Sequence, residues 1–457
     1  MTDKILANQK KFFQSRETRA FTNRCQALEN LKRMIVEKEE LFLNALQSDL
    51  GKPPLEAYSS ELGILVNEID YTKRHLRNWM KPRRVRTPLF LKPGGSSIVP
   101  EPLGSVLILG PWNYPVQLIL APLIGAIAAG NTAVLKPSEN SPQSAKALTE
   151  ALTNYFDPEF IAVCNGDSQV SVELVQQPFD HIFFTGNPVI GRKVMKAASR
   201  NLVPVTLELG GKSPCIIWND ADIDVTCRRV LWGKFLNAGQ TCVAPDYVLV
   251  HTQIRARFLE RCKETLREFY GPSPRESKDY SRIINVDHFD RLVNLMNQGE
   301  ILYGGENDRS ELYIQPTLMH EVPLVSPLMS DEIFGPILPV IPVENLAEVL
   351  SFLQQRPKPL TIYLFTNNST VEQAILEQVS SGSVCINDTI GQIMGSYLPF
   401  GGVGQSGMGR YRGKASFDCF SNYKSVLKRS LTFDFRPKYP PYSISLGAMR
   451  IIMKMFF

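Results

Sequence analysis

The stretch His181-Ile182-Phe183-Phe184-Thr185-Gly186-Asn187-Pro188-Val189-Ile190-Gly191-Arg192-Lys193-Val194 decides the fold class. Residues 181–185 are a short run of β-formers closed by glycine. Asn187 can cap a helix and Pro188 fits its first position. A strand that feeds straight into a helix is the repeating unit of a parallel α/β sheet. The free N–H groups and positive dipole end of such a helix suit a pyrophosphate. A tight turn with no ligand is the alternative reading, and no GxGxxG follows any strand candidate.

The same alternation extends on both sides. Upstream, strands are expected at 105–109 and 132–135, with helices at 116–129 and 141–155; a helix at 188–199 follows the deciding stretch. From about residue 204 a second α/β pattern begins, with strand candidates at 214–217, 247–250, 337–341, 361–365 and 383–386. Residues 1–80 read as helical, with Leu28, Leu31, Ile35, Leu41, Leu43 and Leu46 near helical spacing among lysines and glutamates. Gly51-Lys52-Pro53-Pro54 is a turn before a helix from Glu56 to about Met80. Residues 81–100 hold Pro82, Pro88, Pro93, Gly94 and Gly95 among β-formers, which suggests an extended arm.

A chain of 457 residues suits two or three domains. Its net charge of +5 is mild, and the basic run 81–86 lacks an aromatic ladder or recognition helix, so nucleic acid is not expected as a partner. Eight scattered cysteines with no CxxC pair point to free thiols in a reducing compartment. The five histidines are isolated, so no metal site is expected. The stretch 116–129 contains Pro122 and Gly125 and reads as a buried helix. The tail 443–457 is apolar with two spaced cations; it can lie on a membrane surface or pack on its own protein.

Three residues stand at the ends of apolar runs beside glycine or proline. Cys242 lies in Gly239-Gln240-Thr241-Cys242, Glu208 in Leu207-Glu208-Leu209-Gly210-Gly211-Lys212, and Asn113 in Trp112-Asn113-Tyr114-Pro115. A thiol, a carboxylate base and an amide donor are the parts of covalent acyl chemistry. In Lys136-Pro137-Ser138-Glu139 a strand ends on a lysine that could hold a ribose hydroxyl or phosphate, with Glu139 placed to accept from a ribose diol. A solvated turn is the alternative there.

These motifs, with Phe184-Thr185-Gly186, Glu332-Ile333-Phe334-Gly335-Pro336 and Pro399-Phe400-Gly401-Gly402, occur in an order that resembles the aldehyde dehydrogenase superfamily over about residues 5–430. The run 239–247 is similar to the class 3 branch, which includes fatty aldehyde dehydrogenases. The resemblance implies a Rossmann-type nucleotide-binding domain (1–80 and 101–207), an α/β catalytic domain (208–418), a small β arm bridging a dimer (81–100 and 419–433) and a tail (434–457). It implies oxidation of an aldehyde, medium- or long-chain aliphatic or otherwise apolar, with NAD or NADP, in a cytoplasmic homodimer with a possible membrane contact through the tail.

By the same resemblance Cys242 is the nucleophile and Glu208 the general base, and Asn113 with the Cys242 backbone N–H forms the oxyanion hole. Lys136 and Glu139 face the adenosine ribose. Gly186, Asn187, Gly191 and Leu209 line the cofactor's course, Glu332 holds the nicotinamide ribose, and Phe334 packs near the nicotinamide. Asn187 departs from the family's usual serine, which favours a backbone role there. Tyr114, Trp232 and residues 390–398 are candidates for an apolar entrance or for ordinary core. Two other functions compete: an acyl-transferring reductase, which needs no water-activating carboxylate, and a non-catalytic binding protein of the same fold.

Overall fold

The computed structural model describes residues 2–434 and 436–456. Two open sheets carry the molecule. The first has six strands in the spatial order 407–408, 205–209, 181–186, 105–109, 132–136, 161–163; the five longer strands run parallel to one another, and the two-residue edge Gly407–Met408 is antiparallel. The second has seven strands in the order 300–303, 317–320, 337–343, 247–251, 214–217, 361–365, 383–386, antiparallel only at Glu300–Tyr303.

The sequence pattern explains these strands. Ser105–Leu109 and Thr132–Lys136 are buried at every residue, as parallel strands covered on both faces must be. Helix Gln117–Ala129 is also buried all round, so it is a core helix. Ile161–Val163, only three residues long, forms an unforeseen edge strand; that length is too short to show a period. The expected division at 207/208 falls inside strand Val205–Leu209, which pairs with His181–Gly186 in the register Thr185 to Glu208. Glu208 therefore belongs to the first sheet.

In that sheet the chain steps outward through 105–109, 132–136 and 161–163, then returns to the other side at 181–186. The crevice at the carboxyl ends of strands 105–109 and 181–186 is the switch point where open α/β sheets bind ligands. Lys136, Gly186 and Glu208 stand at or next to the carboxyl ends of their strands, and Asn113 lies in the loop that follows Ser105–Leu109.

The arm is a three-stranded antiparallel sheet in the order 83–85, 94–102, 421–429. Most of its side chains are exposed or half-buried. A helix, Leu446–Phe456, ends the described chain, with Leu446, Ile451 and Met453 exposed. Phe457 lies outside the described residues. Among those described, no helix is long and apolar enough to cross a membrane.

Candidate active site

The loop that carries Cys242 makes a sharp elbow after helix Ile223–Phe235. Asn237, Ala238 and Gly239 all take left-handed backbone, with φ of 52°, 50° and 76°. Two non-glycine residues in that region are costly and persist only where surroundings over-determine them. The surroundings here do. The Asn237 amide donates to the carbonyls of Asn113 (2.9 Å) and Gln240 (3.2 Å), and its backbone N–H donates to Glu56 (2.8 Å). The Gln240 side chain donates to the carbonyls of Asn237 (3.0 Å) and Arg282 (2.9 Å) and accepts from the N–H of Ile284 (3.0 Å). Gly239 is required, because a Cβ there would stand 2.3 Å from the Gly335 carbonyl oxygen.

The amide of Asn113 is buried and donates one N–H to the Gln240 carbonyl (2.9 Å). That bond aims the group and leaves its second N–H for another acceptor. Tyr114 and Thr241 join hydroxyls at 2.7 Å. The oxyanion-type donor and the thiol loop are thus tied by several bonds across 127 residues of chain. Tyr114 is 7% exposed and braces the thiol loop. Trp232, 41% exposed, faces outward, and in the segment 390–398 Met394, Tyr397 and Leu398 are exposed while Ile390 is buried.

Glu208 is 1% exposed, and both its carboxyl oxygens lack a hydrogen-bond partner among the described residues. A buried polar group without partners is expensive and calls for an explanation. Burial pushes its pKa up to about 8, with the Cys242 thiol and the Arg412 guanidinium pulling the other way. Arg412 is itself held by Glu68 at 2.8 Å. Burial, with the charges of Glu208 and Glu332, holds the Cys242 thiol well above its ordinary range, while its own backbone N–H and that of Val243 oppose this. Burial thus favours the neutral form of both groups.

On the cofactor side, Glu332 lies against Gly210, where a Cβ would stand 2.0 Å from its carboxyl oxygen. Burial first, then Asp246 nearby, raises its pKa to about 8. Its loop is clamped: Arg291 donates to the carbonyls of Glu332 (3.4 Å) and Ile333 (2.7 Å), Asp246 accepts from the Ile333 N–H (3.0 Å), and Lys212 bridges Asp246 and the carbonyls of Leu328 and Asp331. Phe334, at φ 50°, meets Trp112 edge-on with ring centroids 5.3 Å apart.

Lys136 is buried and its ammonium donates to the Pro137 carbonyl (2.7 Å) and Glu139 (3.2 Å). The Asn187 side chain accepts from the Ile190 N–H at 2.9 Å, so it serves as a helix cap. Gly191 lets helix Pro188–Ala198 close on Leu209, whose Cδ2 would lie 2.8 Å from a Cβ. The residues fit a dinucleotide. An exposed helix start, the Glu332 carboxyl against Gly210, the Phe334–Trp112 ring pair and the unpartnered Thr185 hydroxyl are the kinds of group a dinucleotide needs. Several participants were not legible as site residues in the sequence: Lys52, Glu56, Glu61, Asp246, Arg291 and Arg412. Of these, Arg412 lies in the glycine-rich stretch 407–413, a signal that could have found it.

Comparison with known proteins identifies the family. The aldehyde dehydrogenase family model matches residues 1–426. The chain belongs to the aldehyde dehydrogenase family. It is 46% identical over 450 residues to the 4,4'-diaponeurosporen-aldehyde dehydrogenase of Staphylococcus aureus, covering 98% of this chain and 97% of that protein. It is 46% identical over 435 residues to aldehyde dehydrogenase family 3 member A2 of Macaca fascicularis, covering 95% and 90%. A solved substrate-bound structure of Staphylococcus aureus AldH superposes with a TM-score of 0.97 at 44% identity, covering all of both chains. This aldehyde dehydrogenase is class 3-like, and its reaction is the oxidation of an aldehyde with NAD or NADP.

Proposed function

We propose that the aldehyde is oxidised on Cys242 with Glu208 as the base, and that the acyl group leaves by hydrolysis. The observation that carries this is the Glu208 carboxyl, buried and unpartnered beside the thiol. Once ionised, it takes the Cys242 proton directly or through water. The sulfur attacks the aldehyde carbon, and the oxygen gains charge beside the free N–H of Asn113 and the backbone N–H of Cys242. A preorganised donor of this kind contributes about 3–4 kcal/mol in acyl-transfer sites. The nicotinamide, when bound, supplies hydride acceptance. After losing the first proton to solvent, Glu208 serves again as the base that activates water for thioester hydrolysis, a role an acyl-transferring reductase would not need. Glu332 and Phe334 would hold the nicotinamide end, Lys136 and Glu139 the adenosine ribose, and Gly186 with the helix start the pyrophosphate.

The substrate we infer is a medium- or long-chain aliphatic or other apolar aldehyde. Exposed Trp232, Met394, Tyr397 and Leu398 support an apolar approach, and one close relative is named for 4,4'-diaponeurosporen-aldehyde. The exposed edge of strand Ser421–Arg429 suits a dimer contact. The helix Leu446–Phe456, with exposed Leu446, Ile451 and Met453 beside Arg450 and Lys454, suits a peripheral contact with an anionic membrane. Following NAD(P)H absorbance with an aldehyde series, with and without coenzyme A, tests the reading. Turnover that rises with chain length and needs no coenzyme A is expected; dependence on coenzyme A would overturn the hydrolytic step.

A further inference from the structure

Against the Asn113 carbonyl lies an ion pair that the reaction scheme leaves without a role. Lys52 and Glu61 are both fully buried, and their Nζ and Oε1 atoms are 2.5 Å apart. Lys52 also donates to the Asn113 carbonyl at 3.1 Å, and its ammonium stands 4.1 Å from the centre of the Tyr114 ring. The second Glu61 oxygen accepts from the N–H groups of Val116 (2.9 Å) and Gln117 (3.2 Å), at the start of helix Gln117–Ala129. One charged pair thus grips the segment 113–117 at both ends: Lys52 at a peptide oxygen, Glu61 at the helix's unsatisfied donors.

The pair comes from a local irregularity. Residues Tyr58–Leu62 form a π turn between Pro54–Ala57 and Gly63–Trp79. Such turns are rare and cluster at functional sites. Glu61 lies on this turn. The same segment supplies Glu56, whose carboxylate accepts from the Asn237 N–H at the elbow of the thiol loop. A buried ion pair is weak as a source of stability, because desolvation offsets most of its attraction. Here its bonds go to the two groups that fix the oxyanion amide.

We propose that Lys52 and Glu61 are positioning residues for the oxyanion hole: they hold the Asn113 main chain so that its side-chain amide meets the oxygen of the aldehyde adduct. The inference rests on the oxyanion role proposed for Asn113. It predicts a defect confined to the acyl-forming step, with cofactor affinity untouched.

The test is a double-mutant cycle read by single-turnover acylation, with NADH formation followed in the first turnover of the full-length enzyme. Lys52→Met with Glu61→Gln removes both charges together, so neither is left buried alone. This pair should slow acylation about tenfold or more and leave the cofactor's dissociation constant unchanged. In the Asn113→Ala background it should cost nothing further, because the group it positions is gone. Wild-type acylation in the folded pair variant, or a loss that multiplies with that of Asn113→Ala, would overturn the inference. If the pair variant does not fold, Lys52→Arg decides by the same readout: a slowed acylation absorbed by Asn113→Ala supports positioning, and wild-type acylation refutes it. An Asn113→Ala enzyme that acylates at the wild-type rate would overturn the oxyanion assignment itself, and this inference with it.

Discussion

Glu61 and Glu208 are both buried glutamates within the same catalytic surroundings, and they differ in their partners. Glu61 is saturated: an ammonium on one oxygen and two backbone N–H groups on the other. Among the described residues Glu208 has no hydrogen-bond partner on either, and the Cys242 thiol and the Arg412 guanidinium act on it only more weakly than burial does. Saturation makes a carboxylate part of the frame, since moving its proton or its charge would break several bonds. An empty carboxyl keeps a high pKa and can accept a proton without dismantling anything. On the proposed function, the contrast separates what holds the site from what reacts in it.

The largest expected effect is at the thiol that the empty carboxyl serves. Cys242→Ala should abolish aldehyde oxidation while cofactor binding, followed by fluorescence titration, survives. Clear turnover by the purified variant would move the nucleophile elsewhere. Next, Glu208→Gln should slow turnover by about two to four powers of ten, the range for a general base. Mass spectrometry should find acyl thioester on Cys242 if hydrolysis becomes the slow step. Wild-type rates would erase the distinction between the two glutamates.

Smaller effects belong to the nucleotide side. Lys136→Ala and Glu139→Ala should raise the cofactor's KM several-fold with little change in kcat, because both are proposed to meet the adenosine ribose and not the reacting carbon. If Glu139→Ala also improves NADP relative to NAD, the carboxylate is what disfavours a 2′-phosphate. Unchanged constants in both variants would remove them from the cofactor site. The smallest effect is expected from the tail. A chain ending at Pro441 should keep its activity on short aldehydes and lose flotation with anionic liposomes; equal flotation of both chains would dismiss the membrane contact.

Much of this was legible in the sequence, for physical reasons. Strands such as Ser105–Leu109 and Pro214–Ile217 are apolar runs bounded by glycine and proline, so their type and limits show. Cys242, Glu208 and Asn113 stand at strand or loop ends in unusual local contexts, which marks them individually. What stayed hidden was what depends on meeting across the chain. Lys52 reads as part of a Gly-Lys-Pro-Pro turn, and nothing local says that it reaches Asn113, 61 residues on. Glu61 looks like one more helical glutamate until the π turn aims it inward. Strand Val205–Leu209 crosses the expected domain division because the first sheet, not the motif, sets its end. Tyr114 could be entrance or core by composition, and only its bond to Thr241 places it beneath the thiol loop.

The most direct test of the account is the pH profile of kcat/KM for the wild type, Glu208→Gln and Glu332→Gln. Glu208 and Glu332 both have pKa values raised to about 8, chiefly by burial. A base is active only when ionised, so its contribution is small below that value and grows as pH rises through it. The wild type should therefore climb about tenfold per pH unit below pH 8 and then level off. Glu332→Gln should keep that climb at a lower height, and Glu208→Gln should lose it. A climb that survives in Glu208→Gln would contradict the assignment of the unpartnered carboxyl as the base.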